Sequence, residues 1–394
     1  MGTEQFLLFI QIAMKIIIFF VLVGLCWACS KQSRYENLPK IEGYDSLILS
    51  NGKNIQVDSF FILPLELTSE SAITSIAKIE IVDTFIFIHS ENSLLRFYKD
   101  GRFAGIYGVV GRAPGEYLRL NTFFIDRHQE TVNLIDEFLS KIITYTFTGE
   151  YLREKHYAGR NFYMLHGLCP VGENQLLCDH YVCNDFNTLY TLLNMETGEK
   201  TVLSQTALQT KKVAVPIGKV PMAEYGDTVK VLLPFDNRIY VYDSLGIKPY
   251  KWVETEKKLL SSGQMRKIND FSVMSYFDID QRGDFAGFKD ICESDRYMLL
   301  NEAGCNRYFL VDKISAHGIR YDYDVDDALN VLPLVGIQTV WRDFFVGVLP
   351  RYSLKDIADK IPANTTDRNL YQLKKFEGEL PEDANPCLVF YKLN

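Results

Sequence analysis

The stretch "ITSIAKIEIVDTFIFIHSENSLLRFYKDGRFAGIYG", Ile73 to Gly108, holds four short runs rich in Ile, Val, Phe and Tyr, separated by "DT", "SENS" and "KDGR". Turn-forming corners at such close spacing read as hairpins. The pattern returns at once in "LRLNTFFIDRHQETVNLIDEFLSKIITYTFTGEYLREKHY", with corners at "RHQE" and "TGE". "NTLYTLLNMETGEKTVLS", "NRIYVYDSLGIKPYKWVET" and "NRYFLVDKISAHGIRYDYDV" repeat the closing order of strand, turn and strand. Units therefore end near Tyr107, His156, Leu203, Thr255 and Tyr323. Their spacing of roughly fifty residues and four strands per unit predict blades around an axis.

Three strands of a sixth unit remain in "LPLVGIQTVWRDFFVGVLP" and "PCLVFYKL". The N-terminal "VDSFFILPLE" supplies the fourth, closing the ring and leaving no exposed sheet edge. The expected fold is all-β, a six-bladed β-propeller of four-stranded antiparallel blades over residues 54–394. A solenoid of hairpins or a large sandwich is the competing architecture. Helix is scarce: "YSLKDIADKIPA", Tyr352 to Ala363, is the better candidate and "LLSSGQMRKINDF" the weaker.

The N-terminus carries an address. "MKIIIFFVLVGLCWACSKQ", Met14 to Gln32, has a lysine, an apolar run too short to be a comfortable permanent span, and then small and thiol residues. Residues 1–28 read as a lipoprotein signal, with Met14 an alternative start, Cys29 the lipid-bearing residue, and residues 29–53 a polar tether. A plain signal peptide and an uncleaved anchor helix are the other readings. All three place the bulk of the chain outside the cytoplasm, on the periplasmic side or the outer surface.

A net charge of −8 over 394 residues argues against nucleic-acid backbone binding, which needs clustered Lys and Arg. Oxidising surroundings permit disulfides, and Cys178 and Cys183 form the most local pair; free cysteines also serve as small buried apolar residues. No cofactor is expected. Asp322, Asp324 and Asp326 alternate along "YDYDVDDALN", which puts them on one side of a strand. Like charges there need water or a cation, so calcium stands against solvated turn acids.

"GVVGRAPGEY", Gly108 to Tyr117, has no phosphate-loop pattern and leads into a strand. Pro114 fixes its φ and Gly115 takes angles denied to other residues, so Gly111, Pro114, Gly115, Glu116 and Tyr117 read as an inter-blade corner. A corner that also touches ligand is the second reading. The stretches around Arg160 and Tyr163, His180, and Trp341 and Arg342 are candidate ligand surfaces, against aromatics that fill the space between sheets. No G-x-S-x-G or H-E-x-x-H pattern is present, and the six histidines are scattered.

"IYGVVGRAPGEY", "FFIDRHQETVNLIDEFLSKIITYTFTGEYL" and "NPCLVFYKL" resemble the six-bladed β-propeller lipoproteins of Bacteroides-type bacteria, distant relatives of NHL-repeat propellers. The likeness spans residues 54–394, with Ala113 where that family usually has glycine. It implies a lipid-anchored envelope protein and assigns no catalytic residue. The expected function is an envelope-anchored binding or interaction module for a glycan, peptide or partner protein, built as a monomeric propeller. The alternative is a propeller lyase or hydrolase acting on extracellular polysaccharide.

Overall fold

The computed structural model describes residues 40–44, 57–158, 162, 165–180, 188–205, 220–226, 228–255, 257–261, 264, 279, 281–304, 307–322, 336–366 and 368–393. Six four-stranded antiparallel blades follow one another around an axis. Their first strands are Lys78–Ile81, Leu120–Asp126, Leu165–Pro170, Met222–Tyr225, Phe288–Glu293 and Ile337–Trp341. These strands touch one another around the ring, so they are the innermost. The fourth strands of blades one to five end at Tyr107, His156, Gln205, Glu254 and Asp322, within two residues of the corners expected from sequence.

Middle strands lose the half-buried alternation of an ordinary sheet. Phe85–Ser90, Thr131–Asp136 and Tyr297–Glu302 are buried at every position, because each blade packs a neighbour on both faces. Outer strands are wet: Tyr151–His156 is exposed at all but one residue. An apolar cluster fills each of the six blade interfaces.

Blade six is spliced from both ends of the chain. Its third strand, Cys387–Leu393, pairs with Phe344–Leu349 on one side and with Val57–Pro64 on the other. Phe61 stacks on Phe390 at 4.4 Å, and Phe390 joins Ile79, Ile86 and Phe97 in the cluster between blades six and one. Asn385 pins the same junction. Its Oδ1 accepts the Ile73 N–H at 2.9 Å, while Nδ2 donates to the carbonyls of Glu66 and Ser71 at 2.9 and 2.8 Å. Asn385→Leu strands these buried backbone groups and is expected to lower stability by about 2–4 kcal/mol in urea titration.

A second N-terminal element was not anticipated. Lys40–Tyr44 forms a strand parallel to both Gly246–Glu254 and His317–Asp322, joining the outer edges of blades four and five into one sheet. Two helices, α1 (Arg351–Lys360) and α2 (Arg368–Glu379), interrupt blade six. Helix α1 starts right after Pro350 and ends at Ile361, whose extended backbone suits the residue before Pro362. Helix α2 has no counterpart in the sequence expectations. It is held by buried Leu373 and by the Glu377 carboxylate, 2.7 Å from Arg351. The weaker helix candidate lies largely outside the described residues.

The Gly108–Tyr117 segment is the corner between blades one and two. The Glu116 N–H donates to the Ala113 carbonyl at 2.9 Å, with Pro114 and Gly115 between them and Gly115 at φ +81°, the arrangement of a type II turn. The Glu116 carboxylate folds back on the Ala113 N–H at 2.7 Å, and Gly111 leaves the room it occupies. A Cβ at Gly111 would sit 1.9 Å from that carboxylate. Tyr145 donates to the Gly115 carbonyl, and the Gly115 N–H donates to Glu154 at 3.0 Å. Burial alone would raise the Glu154 pKa; Lys141, the Gly115 N–H and His156 outweigh it and hold the carboxyl at about 2. Tyr117 is buried and donates to the Asn92 carbonyl at 2.9 Å. The corner is thus a clamp between blades. Gly115→Ala, forced into a left-handed backbone, is expected to cost about 1–2 kcal/mol, read as a lower urea midpoint.

Candidate functional site

The six inner strands surround an axial chamber of about 780 Å³. Charged side chains enter it from separate blades. On blade one, Lys78 Nζ lies 3.2 Å from Glu80, and Arg127, just past the inner strand of blade two, lies 3.6 Å from the same carboxylate. Both cations are further engaged: Lys78 donates to the Phe123 carbonyl at 3.0 Å and Arg127 to the Ile81 carbonyl at 3.2 Å. Alternation along a strand lets polar side chains such as Lys78 and Glu80 in "KIEI" face the axis while Ile79 and Ile81 stay in the blade core.

Blade three contributes a histidine–carboxylate pair, with His166 Nδ1 2.8 Å from Asp179. Burial raises the Asp179 pKa, and His166 opposes that rise. Between blades four and five, buried Glu293 holds two ammonium groups, Lys230 at 2.5 Å and Lys313 at 2.7 Å. Lys313 sits 3.8 Å over the Tyr225 ring, whose hydroxyl donates to Asp295 at 2.9 Å.

Blade four faces blade one across the axis and carries Glu224. Its side chain is exposed to the lumen. Partial desolvation raises its pKa, and the Glu80 charge adds to the rise against the opposing pull of Arg127 and Lys78. Blade six contributes Gln338, 7% exposed, and Arg342, which pairs with Asp83 at 3.4 Å.

His89 lies in the wall as a neutral imidazole. Burial lowers its pKa from 6.5 to about 4, with Lys78 adding to the fall; its Nε2 lies 3.1 Å from the Glu91 carbonyl. Between those two values the unfolded chain takes up a proton that the folded chain refuses. The resulting stability is complete above pH 6.5, declines as pH falls, and levels off near pH 4. The loss amounts to about 3 kcal/mol. Urea midpoints measured from pH 7 to 4 are expected to fall less steeply in His89→Gln.

The sequence-chosen surfaces fare unevenly. Arg342 reaches the chamber mouth. Trp341 packs instead against Phe344 and Phe390, with Lys99 and Arg342 over its ring at 4.9 and 4.7 Å. His180 lies off the chamber, 2.7 Å from Thr191 Oγ1, and its neighbour Asp179 pairs with His166. None of Gly111, Pro114, Gly115, Glu116 and Tyr117 lines the chamber. Asp322 ends the outer strand of blade five, paired in register with Arg307 at the rim. Cys29, Arg160, Tyr163, Asp324 and Asp326 lie outside the described residues, as does Cys183, while Cys178 is a buried free thiol. Among the described residues no cluster of three His, Cys, Asp or Glu is placed to hold a metal, and no helix is long and apolar enough to cross a membrane.

Fold and chamber together define a six-bladed propeller with a charged, open axis. The chain belongs to the family described as a domain of unknown function (DUF4934), which matches residues 42–392. No curated protein matches it. An exported protein of Bacteroides fragilis has the same fold, with a TM-score of 0.72 at 18% identity, covering 90% of this chain and 99% of that one. A DUF4221 family member from Bacteroides vulgatus aligns with a TM-score of 0.52 at 8% identity, covering 86% and 97%. At these identities the likeness concerns fold.

Proposed function

We propose that this protein is an exported, envelope-anchored binding module whose axial chamber takes a small polar solute, such as part of a glycan or a peptide. The leader-like N-terminus and the fold shared with an exported Bacteroides protein support the location, with lipid on Cys29 as the anchor. One observation carries the binding role: the axis is an open chamber of about 780 Å³ lined by charged groups from separate blades, not a seam plugged by apolar side chains. Pockets of this size take small ligands, and convergent polar groups select among them. The soluble form beginning at Ser30, screened on a glycan array and against a short-peptide library, is expected to bind a defined subset. Ala77→Trp, which puts an indole at the exposed start of the blade-one wall, is expected to abolish that binding. Retention of binding in Ala77→Trp would move the site elsewhere.

A second reading, lyase or hydrolase action on polysaccharide, draws on the His166–Asp179 pair sharing one wall with Arg127 and Glu224. A carboxylate that orients an imidazole is the arrangement of a general base. New chain ends released from mixed polysaccharides by the parent protein, and lost in His166→Ala at unchanged melting temperature, are the expected signs of it. Binding without product removes it.

A further inference from the structure

"GVVGRAPGEY" clamps blades one and two through its backbone but leaves apolar side chains at the surface. Val109 and Val110 are 60% and 63% exposed, and Phe138, in the turn between the second and third strands of blade two, is 66% exposed. Strand direction alternates within a blade, so the corner and the second-to-third turns open on one face of the ring. Hydrogen bonds knit them together there. The Asp136 carboxylate accepts the Leu118 N–H of the corner at 2.6 Å and the Leu139 N–H of the turn at 2.9 Å. Arg119, from the corner, lies over the Phe138 ring at 5.8 Å. The matching turn of blade four shows what such a ring does when it serves the core: Phe235 is 6% exposed. Val109, Val110 and Phe138 join no core cluster, and large apolar side chains gathered on an open face mark an interaction surface.

The charges bordering these three residues lack ion-pair partners. Among the described residues Arg112 and Arg119, both exposed, have no ion pair, and neither have Glu91 and Glu137. Glu91 accepts only from the Thr74 hydroxyl. It belongs to the same face, because the next residue, Asn92, takes the Tyr117 hydroxyl on its carbonyl at 2.9 Å.

Two cations and two carboxylates around an apolar centre carry no net charge, so the surface complements neither a strongly acidic nor a strongly basic partner. It complements itself. In a two-fold contact the apolar centres meet and each arginine faces the other copy's carboxylates. An aromatic ring beside arginines is also the composition enriched in protein interfaces. An anionic bilayer fits less well, since it repels both carboxylates. The strand Lys40–Tyr44 moreover straps blades four and five, across the ring from blades one and two, so a membrane tether preceding it would leave from the far rim.

We propose that this face is the two-fold interface of a homodimer, with Val109, Val110 and Phe138 of two copies packed together and Arg112 and Arg119 of each copy set against Glu91 and Glu137 of the other. The assignment is independent of what the chamber binds.

Sedimentation velocity of the soluble form beginning at Ser30 tests it. The parent is expected to be a dimer at about 100 µM, a concentration that reveals even micromolar affinity. Phe138→Ser is expected to weaken dimerisation at least tenfold. An acidic variant, Arg112→Glu with Arg119→Glu, and a basic variant, Glu91→Arg with Glu137→Arg, are each expected to be monomeric at an unchanged melting temperature. Mixed in equal amounts, the two are expected to recover the dimer, because each then meets its opposite. Should a charge variant melt lower, Phe138→Ser, at a side chain outside every core cluster, decides the matter alone. A parent that stays monomeric at about 100 µM, as the sequence reading expects, overturns the proposal. So does a dimer that survives in Phe138→Ser and in both charge variants, or a mixture that stays monomeric. A monomeric parent retained on phosphatidylglycerol vesicles and released by Phe138→Ser would make the face a membrane contact, and likewise overturns it.

Discussion

Deleting residues 387–394 opens the ring. The deletion removes the strand that Phe344–Leu349 and Val57–Pro64 both pair with, so two edges of blade six are left bare. It also withdraws Leu388, Val389, Phe390 and Tyr391, all buried, from the clusters that join blade six to blades five and one. Each such side chain is worth about 1.5–3 kcal/mol of burial. Four together match the roughly 5–15 kcal/mol that holds a whole domain folded. The expected product is insoluble or unfolds without a cooperative transition, with its free edges prone to pair with other chains. Phe390→Ala is the graded version, with an expected loss of about 3–5 kcal/mol. A deleted protein with the parent's urea midpoint and slope would show that the splice does not hold the ring closed.

The second large effect is expected at Glu293. Its carboxylate is 2% exposed and faces Lys230, whose side chain is 6% exposed, and the partly buried Lys313. Both ammonium groups also sit over the Tyr225 ring. Glu293→Ala leaves two like charges in a site built for three groups, and removing one partner of a buried ion pair costs about 3–5 kcal/mol. Replacing all three, with Lys230→Met, Glu293→Leu and Lys313→Met, removes the desolvation cost along with the attraction and is expected to recover most of the loss. Urea titration of the single and triple variants separates the two outcomes. A triple variant no more stable than Glu293→Ala would mean that packing in the site, not uncompensated charge, sets the loss.

Much of the architecture is legible in the chain because it is written in local signals. Runs such as "FIFIHS" and "TVNLID", punctuated by Asn, Asp and Gly corners, mark strands one by one, and a repeat near fifty residues turns strands into blades. The splice of blade six follows from counting: three strands at one end, one at the other. The chamber was not legible, for an equally physical reason. Lys78, Arg127, His166, Glu224 and Gln338 come from five different blades, and nothing local relates them. The available trace was a charge inside a short apolar strand, as in "KIEI" and "MAEY", which reads from sequence as a solvated face and turns out to face the axis. Trp341, a large aromatic beside a turn, has its ring set against Phe344 and Phe390 with Lys99 and Arg342 over it, contacts that no local pattern announces. Helix α2 escaped notice because "RNLYQLKKFEGE" gains its order from contacts with α1, not from its own pattern.

The splice also sets a timetable. Val57–Pro64 leaves the ribosome long before its partner Cys387–Leu393. Hairpins within blades one to five can assemble within microseconds of appearing, since their strands are neighbours in the chain. Blade six has to wait for its third strand to be made, and contacts so distant in sequence form slowly. The newly made chain therefore stays an open arc until Cys387–Leu393 has been added, and only then can the circle lock.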